Sequence, residues 1–418
     1  MNVGIESFNF YSGVAYLDVM KLAEYRNLDA YRFENLMMRE KSVALPFEDP
    51  VTYGVNAAKP ILDKMSEAEK AQIEMVITCS ESGIDFGKSM STYIHHYLGL
   101  NRNCRLFEIK QACYSGTAGL QMAINFVLSQ TSPGAKVLVI ATDISRFVAA
   151  EAGTALSSDW SYAEPSSGAG AIAMLVSDNP KVFQIDVGAN GYYGYEVMDT
   201  CRPEPDMEAG DSDLSLMSYL DCCEQAYLEY EKRVEGVEYK NAFDYLAFHT
   251  PFGGMVKGAH RAMMRKLVKS SPLEIERDFE KRVLPSIGFC QRVGNVMGAT
   301  LYLALIALIN NGDFDRPKRI GCFSYGSGCC SEFFSGVVFE DSPSIVRDMG
   351  IEAHLNGRYE LKMDEYITII ENNVNIKFGT RNTTVDHLSL PDAWKVIEGK
   401  KKLYLHQINE FHREYHWS

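Results

Sequence analysis

A cysteine, Cys113, stands where a strand-like run gives way to a helical one. The apolar run 105–109 precedes it, and an alanine- and leucine-rich run follows it. A sulfur at a helix N-terminus faces unpaired N–H groups and the positive end of the helix dipole, which favour the thiolate. An ordinary thiol with a pKa near 8.5 is only about 3% thiolate at neutral pH. Even a modest fall in pKa therefore multiplies the fraction of the reactive thiolate. We expect Cys113 to attack thioesters, with a buried packing cysteine as the alternative.

Further polar residues follow apolar runs of strand length. Glu81 follows the run 73–79, His249 follows 243–248, and Ser327 follows 320–325, while Asn295 opens the apolar run 296–309. In open α/β sheets, ligand chemistry lies beyond the carboxyl ends of the strands. Taken singly, these residues also fit plainer roles: a solvated loop carboxylate, a structural histidine, a turn serine and a helix N-cap asparagine.

The runs that carry these residues alternate with helical stretches, which predicts an α/β fold with a mainly parallel sheet covered on both faces. This alternation of strand-like and helical runs occurs twice along the chain. We therefore expect an N-terminal half over residues 1–180, carrying Glu81 and Cys113, and a C-terminal half over residues 181–418, carrying His249, Asn295 and Ser327.

Composition narrows the class of protein. The 418 residues are 46% hydrophobic and 23% charged, as in a globular chain with a large core. A net charge of −14 argues against nucleic acid as a partner, and the run 296–309 is too short to span a membrane. The ten cysteines lack metal-ligand spacing and the N-terminus resembles no signal peptide, so we expect a cytoplasmic protein with free thiols and no metal.

Several segments together resemble the hydroxymethylglutaryl-thioester synthases, in that family's order. The matching segments are the nucleophile motif 109–118, the general-base loop 81–89, the histidine motif 248–252, the asparagine motif 294–296, the glycine-rich motif 324–328, and the stretches 165–171 and 214–220. The resemblance is strongest to the synthases of polyketide β-branching cassettes, which use acyl carrier proteins in place of coenzyme A.

The resemblance implies a thiolase-like fold, with two similar βαβ-type halves forming five layers (α-β-α-β-α), and a homodimer. It implies no permanently bound cofactor, because the substrates are carried on phosphopantetheine. Cys113, Glu81 and His249 take the catalytic positions of the matched motifs. The residues implied in substrate binding are Asn295, Ser327, Ser215 and Tyr325.

The implied reaction is an aldol addition between two thioesters in ping-pong order. Cys113 accepts an acetyl group from an acetyl-acyl carrier protein, and Glu81 then removes a proton from the acetyl methyl. The enolate adds to the β-keto group of a polyketide on the acyl carrier protein of a synthase module, and hydrolysis frees Cys113. To work best near neutral pH, the Glu81 base needs a pKa well above about 4.3. How Glu81 and His249 divide the proton steps stays open.

The residues after the histidine motif bear on the carrier. The resemblance implies a lysine soon after that motif in enzymes that use coenzyme A, whereas Phe252-Gly253-Gly254 follows here. Lys257, Arg261, Arg265 and Lys269 come next, each four apart, which predicts a basic stripe on a helix. We expect Lys257, Arg261 and Arg265 to dock an acidic carrier protein, with an ordinary solvated helix face as the alternative.

Three other functions compete. The first is a hydroxymethylglutaryl-coenzyme A synthase that acts on acetyl- and acetoacetyl-coenzyme A. The second is a condensing enzyme of the ketoacyl-synthase-III type, which generates its carbanion by decarboxylation and needs no carboxylate base such as Glu81. The third is a non-catalytic thiolase-like subunit, which the presence of the whole reactive set argues against.

Overall fold

The computed structural model describes residues 2–146 and 160–418. The strands, in chain order, are β1 (Gly4–Tyr11), β2 (Ala15–Asp18), β3 (Glu40–Val43), β4 (Ile73–Cys79), β5 (Arg105–Ile109), β6 (Lys136–Ile144), β7 (Ala169–Ser177), β8 (Phe183–Gly194), β9 (Thr200–Glu204), β10 (Met207–Gly210), β11 (Tyr245–Phe248), β12 (Lys318–Gly326), β13 (Cys330–Val338), β14 (Tyr359–Glu360), β15 (Thr383–Thr384), β16 (Leu403–Asn409) and β17 (His412–Trp417).

The α-helices are α1 (Val19–Tyr25), α2 (Ala30–Glu34), α3 (Pro50–Leu62), α4 (Glu67–Ala71), α5 (Ser91–Tyr97), α6 (Ser115–Ser129), α7 (Trp160–Ser166), α8 (Ser212–Arg233), α9 (Gly253–Met263), α10 (Pro272–Arg282), α11 (Leu284–Ile287), α12 (Cys290–Val293), α13 (Thr300–Asn311), α14 (Ser342–Arg347), α15 (Ile351–Asn356), α16 (Met363–Asn372) and α17 (Pro391–Trp394). A π-helical turn spans Met264–Val268, and short 3-10 helices span Met297–Ala299 and Asn373–Ile376. The described helices include none long and apolar enough to cross a membrane.

Nine of the described strands form one sheet, in the order β11-β12-β13-β8-β1-β7-β6-β4-β5. β4 runs parallel to β5 and β6, and β11 runs parallel to β12, whereas the other neighbouring pairs are antiparallel. The prediction of a mainly parallel sheet is therefore wrong. A continuous apolar run indicates that a strand is buried on both faces, but it does not indicate the direction of the strand. β7 and β13 are buried on both faces although they run antiparallel to their neighbours.

The strands and helices form five layers, as the resemblance implies. Helices α6 and α13 lie in a central core together with strands of both halves. On the outer side of the N-terminal strands, α3 packs against β6 and β7, and on the outer side of the C-terminal strands α8 and α9 contribute to a separate core. The two groups of strands join where Gly4 and Ile5 of β1 pair with Gln184 and Phe183 of β8.

The last part of the chain returns to the N-terminal strands. Tyr359 and Glu360 of β14 pair with β2, and the hairpin β16–β17 packs near α3. Leu361, Tyr366 and Tyr415 are buried in the same core as α3. The N-terminal strands are thus covered by residues from both ends of the sequence.

The central helices approach closely through glycine. A Cβ placed on Gly116 of α6 would lie 2.1 Å from the carbonyl oxygen of Gly298. Beside this contact, the Tyr302 hydroxyl lies 3.0 Å from Oγ1 of Thr117. Because Gly116 follows Cys113 by less than one helical turn and Gly298 follows Asn295, this contact sets the distance between the two motifs.

Candidate active site

Cys113 lies in a tight turn between β5 and α6. Ala112 has a left-handed backbone, with φ of +43°, and the N–H of Tyr114 donates to the Gln111 carbonyl at 3.0 Å. Helix α6 begins two residues after Cys113, as the sequence indicates. The left-handed residue turns the chain sharply, so that the thiol lines a cavity.

The electrostatic setting of the thiol differs from the expectation. Desolvation inside the protein raises the pKa of Cys113 well above its ordinary value, and the carboxylates of Glu81 and Asp143 raise it further. A hydrogen bond from Asn295 acts in the opposite direction but is the smaller effect. The prediction that the helix terminus lowers this pKa is therefore wrong, because burial and negative neighbours outweigh the dipole.

Glu81 follows β4, in a loop organised by Asp143 at the end of β6. Oδ1 of Asp143 accepts hydrogen bonds from the N–H groups of Glu81 and Ser82, at 2.9 and 3.0 Å, and from the hydroxyls of Ser80 and Ser82, both at 2.9 Å. Burial raises the pKa of Asp143 to about 7, with the Glu81 charge as the next cause. The other oxygen of Asp143 is buried without a hydrogen-bond partner among the described residues.

The Glu81 carboxylate is held by an arginine from the second half of the chain. Nε of Arg202 in β9 donates to Oε1 of Glu81 at 2.9 Å, and the same guanidinium binds Glu208 of β10. Arg202 is thus shared between the two carboxylates. The planar guanidinium fixes the direction in which the Glu81 carboxylate points.

His249 follows β11 and is almost completely buried. Its N–H donates to the Phe323 carbonyl at 2.7 Å, and its own carbonyl accepts from the Tyr219 hydroxyl at 2.6 Å. Burial lowers the pKa of the imidazole to about 3, so the ring is neutral at physiological pH. Its Nδ1 has no hydrogen-bond partner among the described residues.

Asn295 joins the two halves next to the cysteine. Its N–H donates to the Ser166 carbonyl at 2.6 Å, and its carbonyl accepts from Gly168 at 2.9 Å. Its side-chain oxygen accepts from the N–H of Met297 at 3.0 Å and from the Thr300 hydroxyl at 2.9 Å. The oxygen is thereby occupied, so the amide NH₂ is the end that donates to Cys113. The helix predicted from residue 295 begins as a 3-10 turn at Met297, and Asn295 is not the N-cap of α13.

Ser327 lies in the turn between β12 and β13, and this turn is anchored by Asp199. The buried Asp199 carboxylate accepts from the Tyr325 hydroxyl at 2.6 Å and from the N–H of Gly328 at 2.9 Å. The Tyr325 hydroxyl is therefore engaged within the protein, although the residue lines the cavity. Ser215, in the first turn of α8, lines the same cavity.

One cavity of about 1010 Å³ brings together Glu81, Cys113, His249 and Asn295. Ser327, Ser215 and Tyr325 line it as well, although these seven residues come from widely separated parts of the chain. A candidate nucleophile, a carboxylate, a neutral imidazole and an amide thus face one space. That combination can carry acyl transfer to sulfur and proton removal next to a carbonyl.

The basic residues after the histidine motif lie outside the lining of this cavity. Lys257 forms an ion pair with Glu276 at 2.6 Å, whereas Arg261 and Arg265 are exposed and form no ion pair with any described residue. Helix α9 ends at Met263, a π-helical turn follows, and Lys269 has a left-handed backbone. The predicted four-residue stripe is therefore interrupted, because the wider π turn moves the later residues off the line of Lys257 and Arg261.

Three residues of the site were not singled out from the sequence. Asp143 ends an apolar strand run, so the rule that identified Glu81 and His249 could have found it. Arg202 and Asp199 lie in an irregular stretch before and within the short strand β9, where no periodic pattern marks them. Their roles depend on tertiary contacts alone.

Comparison with known proteins gives a consistent result over the whole chain. The model of the hydroxymethylglutaryl-coenzyme A synthase N-terminal region matches residues 1–181, and the model of the C-terminal region matches residues 260–417. The polyketide biosynthesis 3-hydroxy-3-methylglutaryl-ACP synthase PksG of Bacillus subtilis (strain 168) is 67% identical over 417 residues, which cover 100% of this chain and 99% of that protein.

A hydroxymethylglutaryl-CoA synthase of Enterococcus faecalis is 35% identical over 369 residues, covering 88% of this chain and 91% of the relative. Among solved structures, the HMG synthase of the curacin biosynthetic pathway in complex with apo donor-ACP matches with a TM-score of 0.96. It shares 64% identity, and the match covers 100% of both chains.

Proposed function

The chain belongs to the hydroxymethylglutaryl-coenzyme A synthase family, and from this premise we propose that it is a 3-hydroxy-3-methylglutaryl-type synthase of polyketide β-branching. It transfers acetyl from an acetyl-acyl carrier protein to Cys113 and adds it to the β-keto group of a polyketide on a second carrier. The observation that carries this proposal is the convergence of Glu81, Cys113, His249 and Asn295 on one cavity, in a chain 67% identical to an HMG-ACP synthase.

In the first half-reaction, the Cys113 sulfur attacks the carbonyl carbon of the donor thioester. The raised pKa of Cys113 means that its thiol must lose the proton as the thioester arrives, and the departing pantetheine sulfur is the final acceptor of that proton. The pantetheine thiol leaves with a proton, and Asn295 remains as a donor beside the new thioester sulfur.

The Glu81 carboxylate then removes a proton from the methyl group of acetyl-Cys113. Arg202 and the Asp143-bound loop keep this carboxylate aimed at the acetyl group. The enolate attacks the β-keto carbon of the acceptor, and the protonated Glu81 returns its proton to the alkoxide that forms. The neutral His249 ring polarises the acceptor carbonyl, since a buried imidazole can donate a hydrogen bond without carrying charge.

Backbone N–H groups hold the thioester oxygen as negative charge develops on it. The N–H groups of Gly328 and Cys329 are bound to Asp199 and to the Tyr195 carbonyl, so we assign this role to the N–H groups of Cys113 and Ser327. Hydrolysis of the Cys113 thioester finally releases the branched product on its acceptor carrier.

The partners follow from the same proposal. The donor and acceptor groups arrive on the phosphopantetheine arms of acyl carrier proteins, and no permanently bound cofactor is required. The curacin HMG synthase has been solved with an acetyl donor-ACP, which supports a protein as the donor here. We propose that Arg261 and Arg265, which carry no internal ion pair among the described residues, contribute to carrier docking, that Lys257 contributes less, and that the enzyme is a cytoplasmic homodimer.

Intact-protein mass spectrometry tests the function and the donor together. Acetyl-acyl carrier protein should add one acetyl group to the enzyme rapidly, and acetyl-coenzyme A should do so more slowly. A Cys113→Ala variant should gain no mass. Equal rates from the two donors would favour the alternative, a synthase that acts on coenzyme A thioesters, and unmodified wild-type enzyme would contradict the proposed function.

A further inference from the structure

Two phenylalanines border the active-site cavity on the side of Glu81. Phe86 lies in the loop that follows Glu81, and Phe378 lies between the 3-10 helix 373–376 and β15. Their ring centroids are 4.7 Å apart with the planes inclined at 52°, a packed aromatic pair. We refer to Phe86 and Phe378 as the aromatic rim.

Hydrogen bonds to two aspartates fix the backbone at both phenylalanines. Oδ1 of Asp85 accepts hydrogen bonds from the N–H groups of Gly87 and Lys88, both at 2.7 Å, which closes a turn with Phe86 at its tip. The N–H of Phe378 donates to Oδ2 of Asp206 at 2.7 Å, which ties this residue to the β9–β10 turn. The rim is therefore positioned by its backbone before any ligand arrives.

The exposure of the rim is unusual for residues fixed in this way. Phe86 is 85% exposed, although the cavity that holds Cys113 extends to it. Leu106, Phe107, Pro203 and Pro205, which we call the apolar wall, line the same cavity, and the charged residues Lys88 and Glu108 line it beside them. Fixed apolar surface that is continuous with a reactive site gains free energy when a ligand covers it.

We propose that the aromatic rim and this apolar wall bind the acyl chain of the acceptor beyond its β-keto carbon; the inference rests on the proposed function. The β-keto carbon carries two substituents, the thioester-bearing methylene and the acyl chain, which diverge from the reacting centre. The apolar wall lies beside Glu81, because Pro203 and Pro205 follow Arg202 in the hairpin that holds the Glu81 carboxylate. A long apolar chain would gain contact with this section, whereas an acetoacetyl acceptor offers only a methyl group in the same place.

The cavity volume agrees with this assignment. At about 1010 Å³ it lies at the upper end of the roughly 300–1,000 Å³ of pockets that enclose drug-sized ligands. Beside the acetyl group on Cys113 and a pantetheine arm, a cavity of this size can hold part of an acceptor's acyl chain. The rim thus selects acceptors by chain length and leaves the chemistry at Cys113 unchanged.

The test compares acetoacetyl-pantetheine with 3-oxodecanoyl-pantetheine as acceptors for preformed acetyl-enzyme. In Phe86→Ala, Phe378→Ala and the double variant, kcat/KM for the long acceptor should fall about tenfold or more. The value for acetoacetyl should change less than twofold, the rate of Cys113 acetylation should be unchanged, and Phe86→Leu should retain most of the activity with the long acceptor.

Phe411→Ala is the matched control, because this ring is 60% exposed at the β16–β17 turn and does not line the cavity. Equal losses with both acceptors, or no loss with either, would overturn the inference while leaving the proposed function in place. A wild-type enzyme that forms acetyl-Cys113 but condenses no β-ketoacyl acceptor, on pantetheine or on acyl carrier protein, would overturn the proposed function and this inference with it. Pantetheine acceptors remove carrier docking from the comparison.

Discussion

Nε of Arg202 lies 2.9 Å from Oε1 of Glu81, across the boundary between the two halves of the chain. The hairpin β9–β10 thus determines where the proposed base points, although β4 and its loop determine where it is attached. Because Glu208 binds the same guanidinium, Arg202 is itself fixed at a second point. The direction of the base is a property of the assembled molecule and not of the Glu81 motif.

Replacing Arg202 should separate the two half-reactions. In Arg202→Gln the Glu81 carboxylate loses its guanidinium partner, and the rate of condensation should fall about a hundredfold because the base is misplaced. Acetylation of Cys113 should change far less. Single-turnover assays with preformed acetyl-enzyme measure the first effect. Arg381→Gln, which removes an exposed ion pair with Glu410, should leave both rates unchanged, and a larger loss in acetylation than in condensation would contradict the role given to Arg202.

The charge of Glu81 should also affect the pKa of Cys113. Glu81 is the largest electrostatic cause that raises the pKa of Cys113 after desolvation, so Glu81→Gln should lower that pKa. The Arg202 guanidinium, which then pairs only with Glu208, acts in the same direction. Alkylation of Cys113 by iodoacetamide across a range of pH should shift to lower pH in this variant, measured on the Cys113 peptide by mass spectrometry because other thiols are partly exposed. Glu67→Gln, at a surface carboxylate that is 90% exposed, is the control, and a shift to higher pH would show that another interaction dominates.

The close contact between the central helices predicts a difference between two glycines. Gly116→Ala places a methyl group 2.1 Å from the Gly298 carbonyl and should destabilise the protein by about 3 kcal/mol. Gly258 of α9 has open space around its missing Cβ, so Gly258→Ala should stabilise by roughly 0.5–1 kcal/mol. Thermal unfolding of both variants measures the difference in melting temperature. Comparable melting temperatures would mean that α6 and the 3-10 turn Met297–Ala299 can move apart at little cost.

Charge reversal on the surface near α9 tests whether the acyl carrier protein docks there. Arg261→Glu and Arg265→Glu should reduce kcat/KM with acetyl-acyl carrier protein about tenfold, because an acidic partner would then meet like charge. Transfer from acetyl-pantetheine should be unaffected, and the effect should shrink at high salt. Lys395→Glu reverses an exposed charge at the C-cap of α17 and serves as the control. Equal losses with both donors would count against docking at this surface.

The sequence determines much of the fold because apolar runs and helix caps act locally. The predicted strands 73–79 and 105–109 match β4 and β5 at both ends, and helix α3 begins at Pro50 with a local capping box at Asp49. The direction of the strands and the change from α-helix to π-helix at Met264 were not predictable in the same way. They depend on which strands become neighbours and on the hydrogen bonding of one helical turn.

The candidate site shows the same division. Glu81, Cys113 and His249 follow strands directly, so their positions could be read from the sequence, and the structure places all three on one cavity. The ionisation of Cys113 could not be predicted, since it depends on burial and on carboxylates from distant segments. Arg202 and Asp199 were missed because the partner of each lies more than a hundred residues away in the sequence.

The central claim is that Cys113 carries the acetyl group and Glu81 makes it nucleophilic. The most direct measurement follows a Glu81→Ala enzyme through one turnover with acetyl-acyl carrier protein and a β-ketoacyl acceptor, by intact-protein mass and product analysis. The account predicts that Cys113 gains the acetyl group and keeps it, with no condensed product, while the wild type converts it. A Glu81→Ala enzyme that still forms the branched product would contradict the account.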